Sequence, residues 1–159
     1  MIQDGTKWLR ARLRSTPSRT FVLYPIVACV LSALTHRGRP RFDLRFLPIL
    51  IWGYLQYRFC GDYRQRLHAG SRGMENLPNH IIRSGPYALT RNPMYLGHLI
   101  FLFGLAPFTR SKLAWLLLAA NVPWFHARVL QDEARLREQF GAEYDAYCRA
   151  VKRWIPFVV

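Results

Sequence analysis

Four apolar stretches, Phe21–Thr35, Leu44–Phe59, Met94–Phe108 and Leu113–Phe125, alternate along this chain with polar segments rich in Arg and Pro. Each is shorter than the ~20 residues of a comfortable transmembrane helix. Flanking Trp8, Tyr57, Trp115 and Trp124 extend them into an interface, and long arginines can snorkel. Only "TRSK" separates the third and fourth, which predicts an antiparallel helical hairpin. Pro25, Pro48, Pro107 and Pro123 fall near span ends or inside spans, where neighbouring helices tolerate them. Beyond the fourth stretch the pattern changes. Val129, Leu130, Leu136, Phe140, Tyr144, Tyr147 and Val151 recur at helical spacing among charged residues. That spacing predicts a cytosolic amphipathic helix, bent or broken at Gly141 and stopped before Pro156. The expected fold is all-α: a polytopic membrane protein of about four transmembrane helices plus that C-terminal amphipathic helix. Residues 1–159 are expected to form a single membrane domain.

Composition sharpens this picture. There are 23 Lys and Arg against 9 Asp and Glu, a formal net charge of +14. Half the residues are hydrophobic, yet the mean hydropathy is near zero, so apolar and cationic residues are segregated. Such segregation suits a membrane protein with basic interfaces. A nucleic-acid binder would need the charge gathered into a stripe, whereas these arginines are scattered between apolar runs. With four spans, the N-terminus, the 60–93 loop (Arg58 at its margin included) and the C-terminal region carry 17 basic residues, against 6 on the other side. The excess predicts a multi-pass protein of the inner or cytoplasmic membrane with both termini cytosolic and residues 1–20 forming a basic cytosolic N-terminus. The four arginines of residues 37–45 run against that rule. "THRGRPR" lacks a small-residue cleavage site, so the first stretch reads as an uncleaved span. Cys29, Cys60 and Cys148 form no CxxC, and the histidines show no ligand spacing, so neither a disulfide framework nor a metal site is expected.

Candidate chemistry concentrates where the third stretch begins, in "SGPYALTRNPMYLGHLIFLFGLAPF". Asn92 suits an N-cap and Pro93 the first helical position, so "NP" starts a helix. Its unpaired N–H groups and positive dipole end would suit an anion, with Tyr87 and Tyr95 at the same depth. A capped helix start with interfacial tyrosines is the simpler account of the same residues. Arg128, Asp132 and Glu133 form a second cluster, with Arg128 and Asp132 four apart on one helix face. Here a surface ion pair is the simpler account, although a charge group beside a membrane boundary also suits a polar ligand. The glycines of "HAGSRG" follow no strand, so no phosphate loop or dinucleotide fingerprint is present.

Taken together, "SGPYALTRNPMYLG" and "DEARLREQFGAEYDAYCRAVKRWIP" resemble the signature of isoprenylcysteine carboxyl methyltransferases and their phospholipid-methyltransferase relatives. The resemblance covers Asn79 to Pro156 and implies a cofactor-binding core over residues 79–156. It implies an integral membrane enzyme that uses S-adenosyl-L-methionine without a Rossmann fold. By the family's pattern the cofactor contacts would be Asn79, His80, Ile81, Ile82, Tyr87, Asn92, Pro93, Met94, Tyr95 and Asp132. Arg128 matches an arginine associated with the substrate. Asn92 stands where the family carries His. Asp132 stands where it carries Glu, so Glu133 is expected to share or take over that contact and is counted with Arg128 as catalytic. The implied partner is a lipophilic small molecule or lipid-linked substrate in a bilayer. A carboxylate acceptor needs no general base and is favoured. A phospholipid amine, a thiol, a nicotinamide-dependent membrane reductase and a non-enzymatic membrane scaffold stay open.

Overall fold

The computed structural model describes residues 15–35, 42–67 and 78–155, and every regular element among them is helical. Ser15 opens α1 (Thr16–Thr35): its hydroxyl accepts from the Ser18 amide at 3.4 Å, and Pro17 lies in the first turn. The turn Arg19–Leu23 is widened to π geometry. Asp43 likewise accepts from the Arg45 amide and opens the 3-10 turn Leu44–Phe46, which runs into α2 (Leu47–Arg66). A short α3 (Pro86–Leu89) precedes α4 (Pro93–Thr109), then α5 (Lys112–Phe140) and α6 (Ala142–Ala150).

Among the described residues, α1 and α5 are long and apolar enough to cross a membrane. The α4 helix is apolar but has 17 residues, and α2 carries Arg58, Asp62, Arg64 and Arg66 in its second half. The expected four crossings therefore find two helices that meet both requirements of length and composition.

The predicted fourth span and the amphipathic helix are one continuous element. No glycine or capping residue interrupts Phe125–Val129, so the change in composition alters which faces are polar without breaking the backbone. The break falls at Gly141, whose φ of +50° is one that residues with a Cβ adopt at a cost. The last helix then ends at Ala150, a full turn before Pro156.

The chain divides into two compact units, one drawn from Met1–Tyr54 and His98–Ala120, the other from Leu55–Gly97 and Asn121–Val159. In the first, "TRSK" is the expected hairpin connection: Arg110 and Ser111 alone separate α4 from α5, and Phe103 meets Trp115 edge-on at 6.3 Å. Small or slender residues pack inside, namely Ala28, Ala106 and Ala114 beside Leu50, Leu102 and Leu105. Phe21 stacks on His98 at 4.6 Å and meets Phe101 edge-on at 4.9 Å. Ser32 donates to the Thr109 carbonyl at 3.0 Å, and the Asp43 amide to the Phe108 carbonyl at 2.9 Å. Val22, Ile26, Val30, Leu34, Trp52 and Leu116 face outward. Apolar exteriors around buried Thr, Ser and His groups are the polarity that hydrocarbon, not water, accommodates.

Candidate active site

The second unit is organised by one carboxylate. Glu133, on α5, is 4 % exposed and receives two guanidinium groups and an amide. Arg91 donates from Nε to Oε1 at 3.1 Å and from Nη2 to Oε2 at 3.3 Å. Arg153 donates from Nε to both oxygens at 3.1 Å and from Nη2 to Oε2 at 2.9 Å. Asn92 Nδ2 donates to Oε1 at 3.3 Å and also to the Arg153 carbonyl at 3.3 Å. Nη1 of Arg91 reaches the carbonyls of Cys148 and Val151, at 3.0 and 2.9 Å, and its amide donates to the Lys152 carbonyl at 2.9 Å. Thr90 adds a hydroxyl bond to the Arg153 carbonyl at 2.9 Å. The segment 90–92, the middle of α5 and the chain after α6 are thereby tied at a single point. Charge-assisted bonds of this kind are about twice as strong as neutral ones and fix geometry as well. The pair with Glu133 also holds the Arg153 guanidinium above its ordinary range.

Next to this clasp lies a cavity with walls from five segments. Arg64 comes from α2, and Pro78, Ile81 and Ile82 from the chain that follows the undescribed 68–77. Tyr87 and the run Arg91–Tyr95 come from the entry to α4, and Asp132, Glu133 and Leu136 from α5, with Tyr144 and Tyr147 from α6. Tyr95 donates its hydroxyl to Asp132 Oδ2 at 2.5 Å, while Arg128 Nε lies 3.5 Å from Oδ1. Tyr147 donates to the Tyr87 carbonyl at 2.6 Å, which holds the loop against α6. Burial pushes the hydroxyls of Tyr87, Tyr144 and Tyr147 above the ordinary tyrosine range, so they stay neutral donors. Gly85, with φ of +57°, lies under the Tyr63 ring, where an added Cβ would come within 2.7 Å. Tyr63 shares a 2.8 Å hydrogen bond with Ser84. The Gly85 turn thus needs glycine for conformation and for space.

The phospholipid methyltransferase family model matches residues 53–143, more than half the chain. The chain belongs to the phospholipid methyltransferase family. Within curated proteins it is similar to a probable protein-S-isoprenylcysteine O-methyltransferase of Oryza sativa subsp. indica, 34% identical over 80 residues, 49% of this chain and 41% of that protein. It is also similar to the cobalt-zinc-cadmium resistance protein CzcN of Cupriavidus metallidurans, 30% identical over 78 residues, 49% of this chain and 36% of that one. The nickel-cobalt-cadmium resistance protein NccN of Alcaligenes xylosoxydans xylosoxydans is 26% identical over 76 residues, covering 48% and 36%. The chain thus spans about two fifths or less of the length of these relatives. Among the described residues no group of His, Cys, Asp and Glu is arranged to hold a metal.

Family membership implies a methyl donor, typically S-adenosyl-L-methionine. The cavity's chemistry fits one. A sulfonium is attracted to tyrosine faces, which Tyr87 and Tyr95 supply. A carboxylate suits ribose hydroxyls or an ammonium, and Asp132 supplies it. Ile81, Ile82, Met94 and Leu136 offer an apolar seat for a base.

Of the ten residues proposed from sequence to touch the cofactor, eight line this cavity: Ile81, Ile82, Tyr87, Asn92, Pro93, Met94, Tyr95 and Asp132. Asn79 and His80 are exposed and lie outside its wall. Glu133 lines the cavity, but its oxygens are engaged by Arg91, Arg153 and Asn92. Arg128 pairs with Asp132 and is not part of the lining. Asn92 does precede the first residue of α4, yet its side-chain nitrogen serves the clasp. The lining residues that the sequence reading did not assign to the site are Arg64, Pro78, Arg91, Leu136, Tyr144 and Tyr147. For Leu136, Tyr144 and Tyr147 a signal existed, since all three belong to the apolar C-terminal periodicity. Arg64, five residues beyond an apolar run, looks like any interfacial arginine.

Proposed function

We propose that this protein is an integral membrane methyltransferase that uses S-adenosyl-L-methionine to methylate a lipophilic acceptor, a carboxylate ahead of a phospholipid amine or a thiol. The observation that carries this reading is the convergence of "GPYALTRNPMY" and Asp132 on one cavity in a chain of this family. The isoprenylcysteine O-methyltransferase relatives support the acceptor class. The outward apolar residues and the basic excess support a multi-pass topology with four crossings and both termini cytosolic.

When bound, S-adenosyl-L-methionine supplies an electrophilic methyl already activated by its sulfonium charge. The residues of this chain then need to bind, orient and exclude water. Tyr87 and Tyr95 would offer their rings to the sulfonium, and Asp132, fixed by the Tyr95 hydroxyl, would take the ribose or amino group. Arg128 would orient an acceptor carboxylate by a bidentate contact, and such a group is already ionised and needs no general base. Glu133 acts here as a positioning residue, holding Arg91 and Asn92 so that the α4 entry keeps its shape.

Calorimetry on the full chain in lipid nanodiscs tests the reading. S-adenosylhomocysteine should bind and NADPH should not; the reverse preference would assign a reductase, and binding of neither would remove the enzyme reading. Arg128→Ala should abolish turnover in an acceptor screen with labelled donor while largely retaining donor binding. Lost donor affinity in that variant would mean that Arg128 serves the donor instead.

A further inference from the structure

The Thr109 end of the first unit carries a charge cluster that methyl transfer does not use. Asp43, 9 % exposed, is the single carboxylate among the described residues of that unit. Arg45 donates to it from Nε at 2.9 Å and from Nη2 at 2.7 Å, and Arg110 donates from Nη2 at 3.1 Å. Both Nη2 groups meet the same oxygen, Oδ2, so the two guanidiniums stand side by side. The Asp43 amide donates to the Phe108 carbonyl, which fixes the carboxylate against the end of α4. Lys112, exposed, follows at the start of α5. Three cations thus share one end of the unit with one carboxylate.

Three features call for an anion from outside the chain. Adjacent guanidiniums repel each other, and one carboxylate neutralises only one of them. Their side chains remain 81 % exposed at Arg45 and 51 % at Arg110, although both are bonded to Asp43. Arg110 also has a φ of +50°, alone among the described non-glycine residues. Glycine is the usual occupant where a helix ends in that conformation, so an arginine is held there at a conformational cost. The neighbours along the chain are apolar and outward-facing: Phe42, which stacks on Phe108 at 5.2 Å, Leu44 and Trp115. Guanidiniums beside such residues mark the depth at which acyl chains give way to headgroups. The four arginines of residues 37–45 run against the charge rule, and Arg45 is the described member of that set. We propose that Arg45, Arg110 and Lys112 bind the phosphate of an anionic phospholipid, with Asp43 positioning both guanidiniums. The planar fork of each arginine matches the phosphate oxygens, and the acyl chains lie along the outward apolar residues of the same unit. This rests on the first unit lying in a bilayer and not on the donor cavity, so a chain that binds no methyl donor could still pass the test.

The test is native mass spectrometry of the full chain released from detergent micelles that contain phosphatidylglycerol and phosphatidylcholine in equal amounts. The two headgroups share the phosphate, but choline neutralises it in the second. Wild type should retain phosphatidylglycerol over phosphatidylcholine by roughly 10- to 30-fold, as two net cations beside a headgroup imply. Arg45→Gln and Arg110→Gln should each lower that preference by roughly 5-fold. Arg149→Gln, which removes an exposed charge from α6, should leave it unchanged. Asp43→Asn separates a built site from plain charge: it makes the cluster more positive, yet should lower the preference because the guanidiniums lose their common anchor. The assignment is overturned if wild type retains the two lipids equally, if Arg149→Gln loses as much as Arg110→Gln, or if the preference rises in Asp43→Asn. Displacement of the lipid by inorganic phosphate would also overturn it, by assigning the cluster to a free anion. The wild-type comparison decides the matter even where a variant does not fold.

Discussion

In the unit drawn from residues 15–54 and 98–120, the interior is built of Ala28, Ala106, Ala114 and Leu102, with Thr20, Ser32, His98 and Thr109 among them. Val22, Ile26, Val30, Leu34 and Leu116 face outward. In the unit drawn from 55–97 and 121–155, the interior holds a carboxylate clasped by two arginines, beside tyrosines that line a cavity. The first has the packing of helices that meet lipid, where small residues and single hydrogen bonds join neighbours because hydrophobic exclusion from water is absent. The second has the packing of a site, where buried charges must be matched and thereby hold loops in one shape. Mutations should therefore act on different quantities: fold stability alone in the first, and stability or ligand affinity in the second according to the bond removed.

The largest effect is expected from the clasp. Glu133→Ala leaves the Arg91 guanidinium, 9 % exposed, without its counter-charge, and breaking a buried pair from one side costs roughly 3–5 kcal/mol. Thermal and chemical unfolding in nanodiscs should register that loss. Glu143→Ala provides the contrast in the same unit. Its pair with Arg83 is about half exposed on both sides, and such pairs contribute roughly 0–1 kcal/mol. Equal losses from the two variants would mean that burial at Glu133 does not matter and that the clasp is ordinary surface electrostatics.

Tyr95→Phe separates affinity from stability. The hydroxyl donates to Asp132 at 2.5 Å, and hydrogen bonds to charged groups contribute about 1.5–3 kcal/mol. S-adenosylhomocysteine affinity should fall, because Asp132 loses the group that orients it. A variant that is less stable but binds the ligand unchanged would make this bond structural.

These contacts also show where the sequence was legible. The start of α4 at Pro93 could be read because Asn-Pro acts within one turn of itself. The break at Gly141 and the hairpin at "TRSK" were readable for the same local reason. The Glu133 clasp was not, since its partners lie 42 and 20 residues away and nothing local selects Glu133 over its neighbour Asp132. Resemblance named eight cofactor residues that line the cavity and two, Asn79 and His80, that lie outside its wall, because a motif carries residue order and not which side chain turns inward. The helix continuity from Lys112 to Phe140 was missed for a different reason. A change from apolar to charged composition marks a change of solvent, and a helix passes through such a change without a break.

Returning to the first unit, Gly104→Val should act on stability only. A Cβ at Gly104 would meet Ile49 Cγ2 at 3.0 Å and the Leu50 backbone nitrogen at 3.1 Å. The backbone atom cannot swing aside, so α2 and α4 must separate locally, and overpacking of this kind costs roughly 1–3 kcal/mol. Unfolding should register the loss while ligand titration of the folded fraction stays at wild-type affinity. A fall in affinity with stability preserved would contradict the division of labour between the units.

The smallest effect is expected for Ser32→Ala, and it bears most directly on the solvent of the first unit. Ser32 donates to the Thr109 carbonyl, one of the last carbonyls of α4 and hence without an intrahelical partner. In water-filled surroundings the freed carbonyl would be re-solvated. In hydrocarbon it would have no such recourse, yet measured losses there average only about 0.6 kcal/mol because helices in a bilayer find other partners. The Thr109 hydroxyl already bonds the Leu105 carbonyl at 2.8 Å, so it is not free to help. A loss near that average in nanodiscs is the expected outcome. A loss several times larger would mean that Ser32 and Thr109 lie where neither water nor a second donor reaches, and that this one bond carries much of the join between α1 and α4.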